Sequence, residues 1–262
     1  MATRDNPWPD GSPCWIELGA PDIQQAIGFY FSQFGWDIQQ GGPEIGGYST
    51  AHLDRRRVAG IGPLMGPPGT PSVWATYFAS SDADATATRI TRAGGEVLMG
   101  PVEVMSLGRM LVAVDVTGAS FGVWQARDLN GVQLANSPGA FTWSEHMSRD
   151  FEGAKAFYAA VFGYEYGDMS TEGFSYATLL INGQQVVGGI GAHPASAGPA
   201  HPAHWGVYFG TADTDKAVEL ATSHGGRIVQ PAKDSPYGRM AVVADNQGAV
   251  FSLISTPEDP ED

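Results

Sequence analysis

The sequence has 262 residues, 43% of them hydrophobic and 16% charged, with a formal net charge of −14. That balance suits a folded chain of one large or two ordinary domains and excludes a disordered one. The acidic surplus repels phosphate backbones, so no nucleic-acid partner is expected, while a cationic small molecule would be tolerated. The single cysteine, Cys14, rules out an internal disulfide and a cysteine-based zinc site. No apolar run reaches the roughly 18 residues of a membrane span, and the N-terminus lacks an apolar signal core. A soluble, cytoplasmic protein with no membrane partner is expected, with a frayed acidic tail at residues 256–262.

In chain order, the segment PCWIELGAPDIQQAIGFYFSQFGW, from Pro13 to Trp36, predicts a strand, a turn and a helix. Asp22 stands at the helix N-cap, Ile23, Ala26, Ile27 and Tyr30 follow at helical spacing, and Gly35 fits a left-handed stop. The stretches YSTAHL and RVAGIGPL alternate as antiparallel neighbours. A second strand and helix start at Val73, with Asp82 or Asp84 as cap. RMLVAVDV and SFGVWQA then flank a turn from Asp115 to Gly118.

The second half repeats this order. Trp15, Glu17, Phe29, Tyr30, Phe34 and Gly35 return as Trp143, Glu145, Phe157, Tyr158, Phe162 and Gly163. Trp74, Tyr77 and Asp82 return as Trp205, Tyr208 and Asp213, and the Gly-Arg-Met at Gly108 returns at Gly238. Asn182-Gly183 is a further hairpin signal. The fold expected is α+β, with four βαβββ units at residues 13–65, 73–128, 139–191 and 204–256. They pair into two tandem domains, residues 1–130 and 131–262.

The tandem βαβββ units, the strand–Asp–helix–Phe-Tyr–Phe-Gly opening and the Asp-x-x-Gly-x-x-Phe closing hairpin together resemble the vicinal oxygen chelate superfamily. That superfamily contains glyoxalase I, bleomycin-resistance proteins and extradiol dioxygenases. More narrowly, the chain is similar to actinobacterial two-domain members associated with aromatic polyketide antibiotic pathways. The resemblance implies two half-barrels of eight strands, each with a concave face that holds metal and ligand. It places a metal-binding His on the first strand of each unit and a Glu on the last. Here the first-strand places are read as Trp15, Trp74, Trp143 and Trp205, and the last-strand places as Gly122 and Ser252. No metal and no other cofactor are therefore expected, and no nucleotide, flavin or haem motif is present. His193, His201 and His204, in a Pro-rich connector, read as loop residues, and His146 as packing toward a helix.

Alternation along the strands gives each cup a set of candidate ligand-binding residues. The first would present Trp15, Glu17, Trp74, Thr76, Phe78, Gly122 and Trp124. The second would present Trp143, Glu145, Trp205, Val207, Phe209, Ser252 and Ile254. Indole faces stack on planar aromatic compounds. A carboxylate in such a slot binds a hydroxyl or ammonium group, or acts as a base. Arg109 and Arg239 are the candidate partners if Glu17 and Glu145 are instead tied up locally. The reading is a metal-free binding protein for a small aromatic polyketide in antibiotic biosynthesis or self-resistance. It would sequester the compound or deliver it to a tailoring enzyme. The alternative is a cofactor-free oxygenase, isomerase or lyase with Glu17 or Glu145 as general base.

Overall fold

Among the described residues, each of the four α-helices begins at an aspartate whose carboxylate accepts a backbone N–H one turn on. Asp22 accepts from Gln25 at 3.1 Å, Asp82 from Ala85 at 2.9 Å, Asp150 from Gly153 at 2.9 Å and Asp213 from Lys216 at 3.1 Å. Asp82 and Asp213, rather than Asp84 and Asp215, are thus the caps of the second and fourth helices. The computed structural model describes residues 2–64, 70–194, 198 and 201–255. The tail expected to fray lies outside them.

The first half contributes β2 (Pro13–Ala20), α1 (Ile23–Phe34), β3 (Asp37–Gln40), β4 (Ser49–Leu53), β5 (Arg56–Pro63), β6 (Val73–Ala79), α2 (Ala83–Arg92), β7 (Glu96–Val104), β8 (Gly108–Val114) and β9 (Ser120–Ala126). These strands form one sheet in the order β3-β4-β5-β2-β6-β9-β8-β7. The second half contributes β11 (Phe141–Ser148), α3 (Phe151–Phe162), β12 (Glu165–Asp168), β13 (Tyr176–Ile181), β14 (Gln184–Ala192), β15 (His204–Gly210), α4 (Thr214–Ser223), β16 (Arg227–Ser235), β17 (Gly238–Ala244) and β18 (Val250–Ser255). Its sheet runs β12-β13-β14-β11-β15-β18-β17-β16, the same order. Two short strands, β1 (Ala2–Thr3) and β10 (Leu134–Ala135), pair with each other, and β10 joins the second sheet beside β11.

Each sheet has an approximate two-fold axis between its central antiparallel strands, β2 and β6 or β11 and β15. The hairpins follow local chemistry. Asn182 and Gly183 both have positive φ, as the tight turn between β13 and β14 requires, and Asp54 and Arg55 make the same turn between β4 and β5.

The two sheets pack with their helical faces together. α1 lies against α4, α2 against α3, and β6 touches β15 directly. One buried cluster joins Phe29, Tyr30 and Trp74 of the first half to Phe209, Val218 and Phe251 of the second. Another joins Phe78, Ile90 and Phe121 to Phe157, Tyr158 and Trp205. At the centre Thr76 and Ser144 share a 2.7 Å hydroxyl–hydroxyl hydrogen bond. The other face of each sheet is directed away from this core, so each half presents its own outer sheet face.

Candidate functional site

On the outer face of the first sheet, Glu17 pairs with Gly60 of β5 and Ala75 of β6, while Trp15 pairs with Tyr77 and Tyr77 with Gly122. The Tyr48 hydroxyl donates to Glu17 Oε2 at 2.7 Å, and the Tyr77 hydroxyl donates to Oε1 at 3.3 Å. Trp15 Nε1 donates to the Tyr48 oxygen at 3.2 Å. Glycine is required opposite these rings. A Cβ at Gly122 would enter the Tyr77 ring, and one at Gly60 would meet the Tyr48 hydroxyl. Gly122 is therefore filled by a tyrosine of the chain itself and leaves no space for a ligand.

The second sheet repeats the arrangement. The Tyr208 hydroxyl donates to Glu145 Oε2 at 2.7 Å, Tyr176 bonds the same carboxylate, and Trp143 Nε1 donates to the Tyr176 oxygen at 2.9 Å. Tyr176 covers Gly189 as Tyr48 covers Gly60, and Tyr208 pairs with Ser252 where Tyr77 pairs with Gly122.

The structure thus gathers Trp15, Glu17, Gly122 and Trp124 on one outer face, and Trp143, Glu145, Ser252 and Ile254 on the other. It does not bring Trp74, Thr76 and Phe78, or Trp205, Val207 and Phe209, to those faces. All six lie buried in the core between the sheets. Trp74 Nε1 donates to Tyr30 at 2.9 Å and Trp205 Nε1 to Tyr158 at 2.7 Å. The cause is a one-residue difference in spacing. Trp15 stands seven residues before its helix cap, but seven before Asp82 stands Ala75, and seven before Asp213 stands Gly206. A one-residue slip moves every side chain of a strand to the other face.

Nor do Arg109 and Arg239 reach the glutamates. Arg109 pairs with Asp84 at 2.6 Å and Arg239 with Asp215 at 2.6 Å. The four tyrosines take that place, and sequence reasoning missed them. Tyr77 and Tyr208 were visible as a repeated pair, and Tyr48 and Tyr176 recur at the spacing that relates Trp15 to Trp143.

The Glyoxalase/Bleomycin resistance protein/Dioxygenase superfamily matches residues 14–134 and again 144–253. The chain belongs to this superfamily. It is 34% identical over 262 residues to the anthracycline biosynthesis protein DauV of Streptomyces sp. strain C5, covering 95% of this chain and 94% of that protein. It is equally similar to the anthracycline biosynthesis protein DnrV of Streptomyces peucetius, with the same coverage. Among solved structures, the Mn(II)-bound glyoxalase from Novosphingobium aromaticivorans shares the fold with a TM-score of 0.65 at 14% identity, covering 94% of this chain and 83% of that one.

The residues here do not fit a divalent metal of the kind bound by that glyoxalase. The first-strand places hold Trp15, Ala75, Trp143 and Gly206, and the last-strand places hold Gly122, opposite Tyr77, and Ser252, opposite Tyr208. The oxygens of Glu17 and Glu145 are engaged by phenols, and among the described residues no imidazole is hydrogen-bonded to either. Among the described residues no group of three His, Cys, Asp or Glu is arranged to hold a metal ion. His193, His201 and His204 do come together, with ring centres 5.6 and 6.1 Å apart, but His193 Nε2 and His204 Nδ1 both face the Pro202 carbonyl oxygen.

Burial raises the carboxyl groups of Glu17 and Glu145 above the ordinary glutamate range, and their tyrosine hydrogen bonds offset only part of that shift. Burial and the neighbouring carboxylate push Tyr48, Tyr77, Tyr176 and Tyr208 well up. The phenols therefore stay protonated and act as donors. Such a site can accept a hydrogen bond from a ligand, stack an aromatic ring, or take up a proton.

Proposed function

We propose that the chain is a metal-free binding protein for a small planar aromatic compound of the polyketide class. It would serve antibiotic biosynthesis or self-resistance by sequestering the compound or delivering it to a tailoring enzyme. The observation that carries this reading is a tryptophan, and beside it a glutamate held between two tyrosines, on the outer sheet face where the superfamily's metal-ligand places are filled by residues that cannot ligate. Aromatic faces and an acceptor suit a flat hydroxylated ring system. The kinship with DauV and DnrV supports an anthracycline-like ligand. A cationic amino group on that ligand would be favoured by the acidic chain.

A second reading rests on the raised carboxyl groups of Glu17 and Glu145, which suit a general base acting on a phenol or an activated carbon without a cofactor. Titration of tryptophan fluorescence with a panel of aromatic polyketides, followed by product analysis, separates the two. A binder shows saturable quenching and returns every compound unchanged. An enzyme forms product, and Glu17→Gln or Glu145→Gln abolishes turnover while binding persists. Absence of quenching by the whole panel would overturn both.

A further inference from the structure

The two outer faces are built alike but have diverged where a ligand would enter. On the first, Trp15 is only 4% exposed and Tyr77 only 4%. Trp124, 7% exposed, lies over Gly108 and is tied through Nε1 to the Leu129 carbonyl at 2.8 Å. On the second, Trp143 is partly open, and Ile254, also partly open, stands where Trp124 stands. The first face has been packed with its own rings, and the second has lost one of the two indoles that do this.

Charge differs at the register position beside Met110 and Met240. Val102 of β7 lies opposite Met110, and at the matching place Lys233 of β16 lies opposite Met240. Lys233 is exposed and close enough to lower the Glu145 carboxyl electrostatically. On the first face Trp15, Tyr48, Tyr77 and Glu17 satisfy one another, and among the described residues no cation is one of the groups acting on Glu17. On the second, the Lys233 ammonium, opposite Met240 in the register, acts on the Glu145 carboxylate beside a partly open indole.

We propose that the outer face of the second sheet is the ligand site and that the first is a filled structural counterpart. The second face takes a planar aromatic compound carrying a hydroxyl and an oxygen acceptor on the same edge. The ligand hydroxyl donates to Glu145, which keeps acceptor capacity beyond its two tyrosine bonds, and Lys233 donates to the neighbouring carbonyl or phenolate oxygen. Trp143, Met240 and Ile254 supply the apolar contact. This inference rests on the binding reading above.

The test uses matched obstructions at the two equivalent, exposed positions. The full-length chain and its Lys233→Trp and Val102→Trp variants, checked for unchanged circular dichroism, are titrated with 1,4-dihydroxyanthraquinone by the probe's own fluorescence. One equivalent binds the unaltered chain; Lys233→Trp weakens binding by about tenfold or more, and Val102→Trp leaves it within about twofold. Lys233→Ala weakens it by roughly three- to tenfold, and 9,10-anthraquinone, which lacks the hydroxyls, binds at least about tenfold more weakly. Two equivalents bound, a larger loss from Val102→Trp, or equal effects of the two obstructions would overturn the assignment while the binding reading stands. Equal affinity for the two anthraquinones would overturn the proposed ligand chemistry. No binding to the unaltered chain would overturn the site and the binding reading together.

Discussion

The Tyr30 hydroxyl donates a 3.0 Å hydrogen bond to Asp245, a residue 215 positions further along the chain. Its counterpart Tyr158 donates to Asp115 at 2.9 Å in the opposite direction. Each aspartate also organises its own closing hairpin. Asp245 Oδ1 accepts the backbone N–H groups of Gln247 and Ala249, and Asp115 Oδ1 those of Thr117 and Ala119. Each tyrosine in turn accepts the indole N–H of Trp74 or Trp205. The family's hairpin aspartate and helix tyrosine therefore join the halves through two buried Trp–Tyr–Asp chains.

The two chains differ in redundancy, and that sets the first prediction. Asp115 Oδ2 also meets His146 Nε2 at 2.8 Å, whereas Asp245 Oδ2 has no second hydrogen-bond partner among the described residues. Tyr30→Phe leaves Asp245 and the Trp74 N–H short of a partner inside the core and is expected to cost about 2–3 kcal/mol. Tyr158→Phe leaves Asp115 still held by His146 and costs about 1–2 kcal/mol. Urea unfolding of the two variants checks the order; equal or reversed losses would remove the role given to His146.

Much of this architecture is legible in the sequence, because the fourfold unit is marked by local chemistry. Capping aspartates, the Gly35 and Gly163 stops and the Asn182-Gly183 turn each act within a few residues. The position of His146 away from Trp143 and Glu145 follows from alternation alone, and it is buried on the inner face. The site is less legible. Matching tryptophan to tryptophan aligned Trp74 with Trp15, although counting back from the caps separates them. The error also hid Tyr77, since Trp74 and Tyr77 point to opposite faces of β6. Nothing local announces that Glu17 will meet Tyr48 and Tyr77, which arrive from the turn before β4 and from β6. Partners set by sheet register are fixed only once the whole sheet is assembled.

The glycine–tyrosine contacts give the second prediction. Gly122→Ala drives a methyl group into the Tyr77 ring, and the pairing of β6 with β9 leaves the backbone little freedom to retreat. A loss of about 1–3 kcal/mol is expected, with Tyr77 displaced from Glu17. Gly28→Ala on the exposed side of α1 meets nothing within 4 Å and should stabilise by about 1 kcal/mol, through helix propensity alone. Thermal unfolding of the two variants should therefore shift in opposite directions. A neutral Gly122→Ala would mean that Tyr77 is not held against the sheet.

The ionisable groups make stability depend on pH in two opposed ways. Burial pushes the Asp115 carboxyl up, but its interaction with His146 and the Thr117 and Ala119 hydrogen bonds outweigh this and hold it below the ordinary aspartate range. Its contribution is present above the unfolded aspartate value and is lost as pH falls through the lower folded value. Glu17 and Glu145 are raised mainly by burial, so their contribution is present below the unfolded glutamate value and is lost as pH rises through the raised folded values. The groups facing these carboxyls are Tyr48 and Tyr77 on the first sheet, and Tyr176, Tyr208 and Lys233 on the second. Melting curves recorded from about pH 3 to 9 should show the Glu17→Gln/Glu145→Gln double variant losing the decline on the alkaline side of the glutamate range. Asp115→Asn should lose the decline on the acid side. If the double variant instead follows the unaltered chain in parallel across the whole range, the two carboxyl groups are not raised, and the general-base reading of Glu17 and Glu145 loses its support.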